Sequence, residues 1–347
     1  MQAAAIILAA GAGTRMKSKK PKVAHEVLGR PLVRWVVSAA KQAGAERIVA
    51  VVGHCKEQVI PLVQDETEIV VQPGRKGTAD AVAVCCEALA DFDGSLLVLS
   101  GDCPLITAAT VERLVTEREA ANAAVSLLTM KLPDPYGYGR IIRNEGGNVV
   151  GIVEQKDAND DQALINECNA GFYCFDSKWV FEALTHIDNN NAQGEFYLTD
   201  VIALAVEQGR AVAAVTTDNP HECLGVNSRV QLAQATKVMQ QRINSVHMAN
   251  GVTMIDPDQV WIGPDVQIDQ DVELLPQTFL MGKTTVGEDS VIGPNTRLTD
   301  TIVGRGCRVD ETVAIEAQID DGATAGPRAY LRPAAHLCEG AKAGTHV

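Results

Sequence analysis

"WIGPDVQIDQDVELLPQTFLMGKTTVGEDSVIGPNTRLTD", residues 261–300, repeats itself every six positions. Ile262, Ile268, Leu274, Leu280, Val286, Ile292 and Leu298 share one phase without a miss. After a slip of one, Val303, Val309 and Ile315 keep the step, and after a second slip Ala325, Leu331, Leu337 and Ala343 resume it. Glycine follows the apolar position at Gly263, Gly287, Gly293 and Gly304. Neither the 3.6-residue period of a helix nor the alternation of a strand puts glycine at this phase. A period of six, with one apolar residue turned inward per face, reads as a short left-handed parallel β-helix of hexapeptide repeats. The competing reading is an irregular β-sandwich with glycine turns. Each coil buries its apolar face against the next, and an end coil normally carries a cap. The closing "GAKAGTHV" is still within the repeat, which predicts an oligomer.

Upstream the pattern is different. "AAAIILAA", "RIVAVVG", "SLLVLSGD", "AAVSLLTM" and "GFYCFD" read as strands, apolar nearly throughout. "PLVRWVVSAAKQAG", "GTADAVAVCCEALA", "TAATVERLVTEREAA", "SKWVFEALTHI" and "YLTDVIALAVEQG" read as helices between them. Alternation of this kind predicts a mainly parallel sheet covered on both faces, a doubly wound α/β (Rossmann-like) domain. Ligands of such sheets sit beyond the carboxyl ends of the strands. Residues 227–249 lack Gly and Pro and read as one linking helix. The expected boundaries are 1–226, 227–250 for the linker, and 251–347.

Thirty Lys and Arg against 44 Asp and Glu leave a net charge of −14. That balance argues against nucleic acid, whose phosphates need a basic face. It argues equally against an anionic membrane surface, and no stretch reaches the roughly 20 apolar residues of a membrane span. Nine cysteines at irregular spacing form neither a disulfide framework nor a zinc site, so the expected location is cytoplasmic.

Against this acidic background "LAAGAGTRMKSKKPKV" (8–23) is basic. Glycines at 11 and 13 let backbone N–H groups approach an anion closely. The stretch is not a Walker loop, which needs Gly-Lys-Ser/Thr, nor a dinucleotide fingerprint, because Met16 holds the third glycine's place. Strand, G-x-G-T-R and Pro-Lys together predict a polyphosphate held by amides, Arg15 and Lys22, with Lys17, Lys19 and Lys20 solvated. Asp102 follows an apolar strand, where a carboxylate serves either a divalent metal on phosphate oxygens or a helix cap. Gln72, Gly77 and Thr78 open a further anion or hydroxyl site, or a plain cap. Glu154, Asn169 and Asn227 alone are no more than a solvated charge, a turn and a cap.

In order along the chain stand "LAAGAGTRM…PK", "QPGRKGTADA", "SGDCPLI", "YGYGRI", "IVEQKDA", "NAGFY", "NNNAQGEFYLTD" and "GVNSRVQLA". With these the chain resembles the sugar-1-phosphate nucleotidyltransferases. Within them it is most similar to the bacterial bifunctional N-acetylglucosamine-1-phosphate uridyltransferase/glucosamine-1-phosphate acetyltransferase family. The resemblance implies synthesis of UDP-N-acetylglucosamine and pyrophosphate from UTP and N-acetylglucosamine 1-phosphate. It implies that Leu8, Ala9, Ala10 and Gly11 with Gln72, Gly77 and Thr78 hold the uridine end, and that Arg15 and Lys22 neutralise the phosphates. It implies Mg²⁺ on Asp102 and Asn227, and Gly139, Glu154 and Asn169 around the sugar, with Tyr197 and Thr199 near them. It also implies a homotrimer built through the β-helix. The chain departs from the family at Ser100, where some relatives carry Tyr, leaving backbone contacts from Ser100 and Gly101. It departs again at Ala79–Asp80, where Gly-His is the pattern. "YLRPAAHLCEGAKAG", with Arg332, matches only the beginning of the family's acetyl-transfer half, so acetyl transfer is not expected. The remaining alternatives are another sugar or nucleotide, or a paralogue that binds without turnover.

Overall fold

The computed structural model describes residues 2–74 and 76–345. Arg75 of the "GRKGTADA" loop and the last two residues of "GAKAGTHV" lie outside them. Contacts divide the chain into two compact units, residues 1–25 with 31–232, and residues 26–30 with 233–347.

In chain order the first 232 residues form β1 (Ala3–Ala9), β2 (Glu26–Val27), β3 (Arg30–Pro31), α1 (Leu32–Gln42), β4 (Ala45–Val52), α2 (Lys56–Val63), β5 (Glu68–Val71), α3 (Thr78–Ala83), β6 (Ser95–Ser100) and α4 (Ala108–Ala120). There follow β7 (Val125–Lys131), β8 (Arg140–Arg143), β9 (Val149–Val153), α5 (Asp160–Ala163), β10 (Glu167–Asp176), α6 (Ser177–Ala183), α7 (Asp200–Glu207) and β11 (Val212–Thr216). The main sheet runs β11-β7-β10-β6-β1-β4-β5, with β8 paired to β10 and β9.

Central strands are apolar on both sides because both sides are covered. On β1, Ala5, Ile7 and Ala9 face one core with Val33, Val36 and Val37 of α1, Val59 and Val63 of α2, and Val111 and Leu114 of α4. Ala4 and Ile6 face the other with Val82 of α3, Trp179 and Val180 of α6, and Val201 and Ile202 of α7. Each such fully buried Val, Ile or Leu contributes about 1.5–3 kcal/mol.

The sheet is mainly parallel, as expected, through β11–β7, β6–β1, β1–β4 and β4–β5, while β10 runs antiparallel to β6 and β7 and β8–β9 is an antiparallel hairpin. A strand buried on both faces looks alike in either direction. "GTADAVAVCCEALA" is α-helical only over Thr78–Ala83. After Val84, which bonds to Asp80 O, the amides of Cys85 and Cys86 switch to acceptors three residues back, which tightens the chain into turns. α2, β5, β8, α5 and β11 correspond to none of the runs read from the sequence.

Helix α8 (Arg229–Ala249) carries the chain into the second unit. Its Gln240 and Asn244 are buried because their amides donate to Val260 O, at 2.7 and 2.9 Å. From Thr253 onward short strands stack into three parallel sheets, the left-handed β-helix that the six-residue period spells. Leu274 lies on Ile292 and Ile292 on Val309; Leu280 lies on Leu298 and Leu298 on Ala314. The inward residue after Val309 is therefore Ala314. Ile315, expected inward, is half-exposed beside it. The corner before Ala314 is one residue short, and pairing with Leu298 decides which side chain turns in. A second column runs two residues ahead of the apolar one. The buried hydroxyls of Thr278, Thr284, Ser290, Thr296, Thr301 and Thr312 each donate to a backbone carbonyl. The glycines after apolar positions serve close stacking: a Cβ at Gly287 would lie 2.8 Å from the Gly304 backbone.

Candidate functional site

β1 and β6 end side by side at the edge where ligands of such sheets bind, with Leu8 opposite Ser100. Ala9, expected at the site, is 1% exposed, pairs with Val52 of β4 and does not line the pocket. Beyond it the backbone N–H groups of Gly11 to Arg15 donate to no protein acceptor among the described residues; the next amide, Met16, donates to Gly13 O. A Cβ at Gly11 would meet nothing within 4 Å. Gly13 is different: its φ is 59°, and a Cβ there would sit 2.5 Å from the Lys22 Cβ. The loop is thus wrapped against Lys22, and Gly13, read from the sequence with Gly11 as an anion-holding glycine, also makes room for the Lys22 side chain.

The Lys22 ammonium donates to Asp102 Oδ2 at 2.5 Å and to Asn227 Oδ1 at 3.0 Å. Lys22 and Asp102 are mostly buried, their side chains 16% and 15% exposed. Asn227 is not a helix cap; Ser228 Oγ accepts from Gln231 N instead, and Asn227 N donates to Gln231 Oε1. Leu8, Ala10, Gly11, Lys22, Ser100 and Asp102 line one side of an open pocket of about 380 Å³. Gln72, Gly77 and Thr78 line the other, with Val23, Ala81 and Glu195 also in the wall. Gly101 lies against β1, its amide donating to Leu8 O.

Gly139, Glu154 and Asn169 form a second group. A Cβ on Gly139 would lie 3.5 Å from Glu154 Oε1 and 3.6 Å from Asn169 Cβ. Asn169 N donates to Gly139 O, and Thr199 Oγ1 donates to Glu154 Oε1 at 3.2 Å. Burial raises the Glu154 carboxyl above its ordinary range; the Thr199 bond holds it down, while Asp200 and Asp157 push it further up. Tyr197 is buried, and its hydroxyl accepts from Gln193 and donates toward Asp157. Two connections, made of three hydrogen bonds, link this group to the pocket wall. Ser100 Oγ donates to Gly171 O, whose own N–H donates to Asn169 Oδ1, and Leu198 N donates to Thr78 Oγ1.

Arg15 is not gathered in. It is exposed on the 14–16 turn and makes no hydrogen bond or ion pair among the described residues.

The pattern of the nucleotidyl transferase family matches residues 4–243. Over 343 residues the chain is 46% identical to the bifunctional protein GlmU of Geobacillus sp. (strain WCH70), covering 99% of this chain and 75% of that protein. Against the bifunctional protein GlmU of Caldanaerobacter subterraneus subsp. tengcongensis it is 46% identical, covering 94% and 71%. Against that of Lactobacillus johnsonii the identity is 44%, covering 99% and 74%.

The chain belongs to the GlmU family of nucleotidyltransferases. It is an enzyme, a uridylyltransferase that makes UDP-N-acetylglucosamine. Nucleotide and sugar phosphate are the substrates of a GlmU chain, and a divalent metal serves the transfer.

The residues present fit such an ion. A cation, the Lys22 ammonium, already sits between one carboxylate oxygen and one amide oxygen, the hard donors that small divalent ions prefer. Gly225 leaves the notch open: a Cβ there would lie 3.3 Å from both Asp102 Oδ2 and Asn227 Nδ2. Among the described residues no group of three or more His, Cys, Asp or Glu gathers in metal-holding geometry, at this notch or elsewhere. No helix among them is long and apolar enough to cross a membrane.

Several site residues of this chain escaped the sequence reading. Asp157 accepts from Ala192 N, and Lys156 donates to Gln193, pinning the 188–199 loop to the end of β9. Asp200 is pushed up to about 6, by burial first and then by Asp188 and Asp157. All lie inside "IVEQKDA" or "NNNAQGEFYLTD", so the stretches were the signal; which members converge was not.

Proposed function

We propose that the 8–22 loop, Lys22 and the Asp102–Asn227 pair bring two anions together, and that this charge management is the catalysis. The observation that carries the reading is the run of free amides from Gly11 to Arg15 beside the Lys22 ammonium. A phosphate oxygen of N-acetylglucosamine 1-phosphate attacks the α-phosphorus of UTP in line. The bond from the α-phosphorus to the bridging oxygen breaks, and pyrophosphate leaves with the electron pair. The attacking phosphate is already ionised, so no general base is needed. Amides 11–15 and Lys22 stabilise the negative charge that builds on the departing pyrophosphate, with Arg15 reaching in from its exposed turn. Leu8 to Gly11 with Gln72, Gly77 and Thr78 hold the uridine. Gly139, Glu154, Asn169 and Thr199, with Tyr197 beside them, hold the N-acetylated sugar, and Ser100 and Gly101 give the floor between.

Asp102 and Asn227 would hold Mg²⁺, which when bound supplies neutralisation of the facing phosphates. The three-sheet solenoid is assigned as the surface through which three copies assemble. Nine cysteines, all free, support a reducing, cytoplasmic location. We assign catalysis to 1–226, the link to 227–250 and assembly to 251–347.

The test is pyrophosphate release with UTP, Mg²⁺ and a panel of sugar 1-phosphates. Release with N-acetylglucosamine 1-phosphate alone is expected. Release with a different sugar keeps the chemistry and overturns the sugar assignment. Silence with every sugar overturns the roles given to Lys22 and Asp102.

A further inference from the structure

We propose that Asp80 decides which base the pocket accepts, by fixing the Gln72 amide so that its oxygen, not its nitrogen, faces the bound base. The inference rests on the reading of Gln72 as a uridine contact and adds how that contact discriminates.

Gln72 follows β5 and is 7% exposed, with its backbone N–H on Val52 O. Its Nε2 donates to Asp80 Oδ2 at 2.7 Å and to Gly77 O at 3.1 Å. A backbone carbonyl and a carboxylate only accept, so both hydrogens of the amide are committed and the orientation is set. Turning the amide over would press Oε1 against two acceptors. The Gly77 carbonyl is itself fixed. Gly77 has φ 115°, and a Cβ there would lie 2.7 Å from Phe196 N and closer still to Phe196 O. Phe196 is in turn clamped by Lys76 O and Ala79 N. Gln72 Oε1 has no protein partner among the described residues and is not sealed from solvent, and Gln72 lines the pocket. The wall therefore offers a single-purpose acceptor.

An acceptor there reads the base edge. Uracil carries a donor at N3 and can satisfy Oε1. Cytosine carries a lone pair at N3 and sets it against the Oε1 lone pair. Thymine shares uracil's edge, so this device separates UTP from CTP and leaves dTTP to other contacts. Asp80 supplies the charge-assisted, stronger half of the anchor. It stands in the first turn of α3, half-buried, and makes this bond across eight residues.

The experiment compares the full chain with Asp80→Ala and Asp80→Asn. It measures pyrophosphate release from UTP, CTP and dTTP with N-acetylglucosamine 1-phosphate, and nucleotide binding by calorimetry. In Asp80→Ala the UTP-to-CTP ratio of kcat/KM is expected to fall about tenfold, the size of one misplaced polar contact, through KM for UTP. The kcat for UTP stays within about twofold, because no group on the phosphates moves. Asp80→Asn, whose side-chain oxygen still accepts from Nε2, keeps most of the ratio, and it also serves if Asp80→Ala does not fold. The UTP-to-dTTP ratio is unchanged in both. An unchanged UTP-to-CTP ratio in Asp80→Ala, or an equal loss for all three nucleotides, overturns the assignment; should Asp80→Ala not fold, an unchanged ratio in Asp80→Asn does so. If the unaltered chain turns over no nucleotide yet prefers UTP in calorimetry, and Asp80→Ala loses that preference, the catalytic reading fails and the Asp80 assignment stands.

Discussion

Gly225→Ala probes the cation notch with one methyl group. The new Cβ would lie 3.3 Å from Asp102 Oδ2, 3.3 Å from Asn227 Nδ2 and 3.6 Å from Cys103 Sγ. Gly225 is outside the left-handed region, so alanine brings no backbone strain. Fewer unfolded conformations favour the variant by about 0.4–1 kcal/mol. Displacing two polar neighbours by a few tenths of an ångström costs about as much, so the net change in stability is within about 1 kcal/mol. Function should respond more. Mg²⁺ binds oxygen at about 2.0–2.1 Å and keeps several waters, so a methyl 3.3 Å from Oδ2 would crowd the space that a hydrated ion on Asp102 would need. The Mg²⁺ concentration giving half the maximal rate should rise about tenfold, equal to about 1.4 kcal/mol. The assay is initial pyrophosphate release against Mg²⁺ at fixed UTP, with a thermal melt alongside. An unchanged metal dependence in a folded variant would remove the ion from between Asp102 and Asn227. A fall in Tm of more than about 4 °C would refute the steric reasoning instead.

Asp102→Ala should lower turnover by about 10³-fold while the chain still folds, because only the notch is lost; near-normal rates with Mg²⁺ present would end that assignment. Gly13→Ala places a Cβ against Lys22 at φ 59°; urea unfolding should show a loss of about 2 kcal/mol, and an unchanged midpoint would contradict the packing of the loop on Lys22. Asp200→Asn should stabilise the protein above pH 6. The native carboxyl titrates at about 6 against an ordinary 3.8, so the folded state holds its proton more tightly. The protonated form's advantage is full below 3.8 and is lost as pH rises through 6. Such a shift is worth about 3 kcal/mol in a sealed site, and screening of this half-exposed group cuts it to about 1. Melts at pH 8 and pH 3.5 should show the gain at the first and none at the second; an equal gain at both would place its origin elsewhere. Gln240→Ala strips a buried donor from Asp258 O and Val260 O; a loss of about 2–3 kcal/mol in denaturant is expected, and no loss would mean that Asn244 alone satisfies the coil.

Much of the architecture was readable in advance. The column from Ile262 to Leu298 follows from covalent spacing, since each face of the coil takes a fixed length of chain. β1, β4, β6 and β7 were legible because strands buried on both faces are apolar at every position. Ile315 was misplaced because a one-residue change at a corner exchanges the inward and outward side chains. Only the ladder Leu298–Ala314–Leu331 records which one turned in. The hydroxyl column from Thr278 to Thr312 has the same period as the apolar one, yet threonine reads as a surface residue until its carbonyl partner is seen.

By itself the sequence determined the two kinds of repeat, the phosphate-loop composition and the family to which the chain belongs. These depend on residue type and on near-neighbour spacing, which the chain carries directly. The tertiary structure alone decided which charges meet. Lys22 bonds to Asn227 across 205 residues, and Asp102 lies 80 residues from Lys22. Arg15, seven residues before Lys22, meets neither, and Asp80 finds Gln72 only because Gly77 and Phe196 fold the intervening loop back. Side-chain interactions act over a few ångströms, and the fold, not the order of residues, sets those distances.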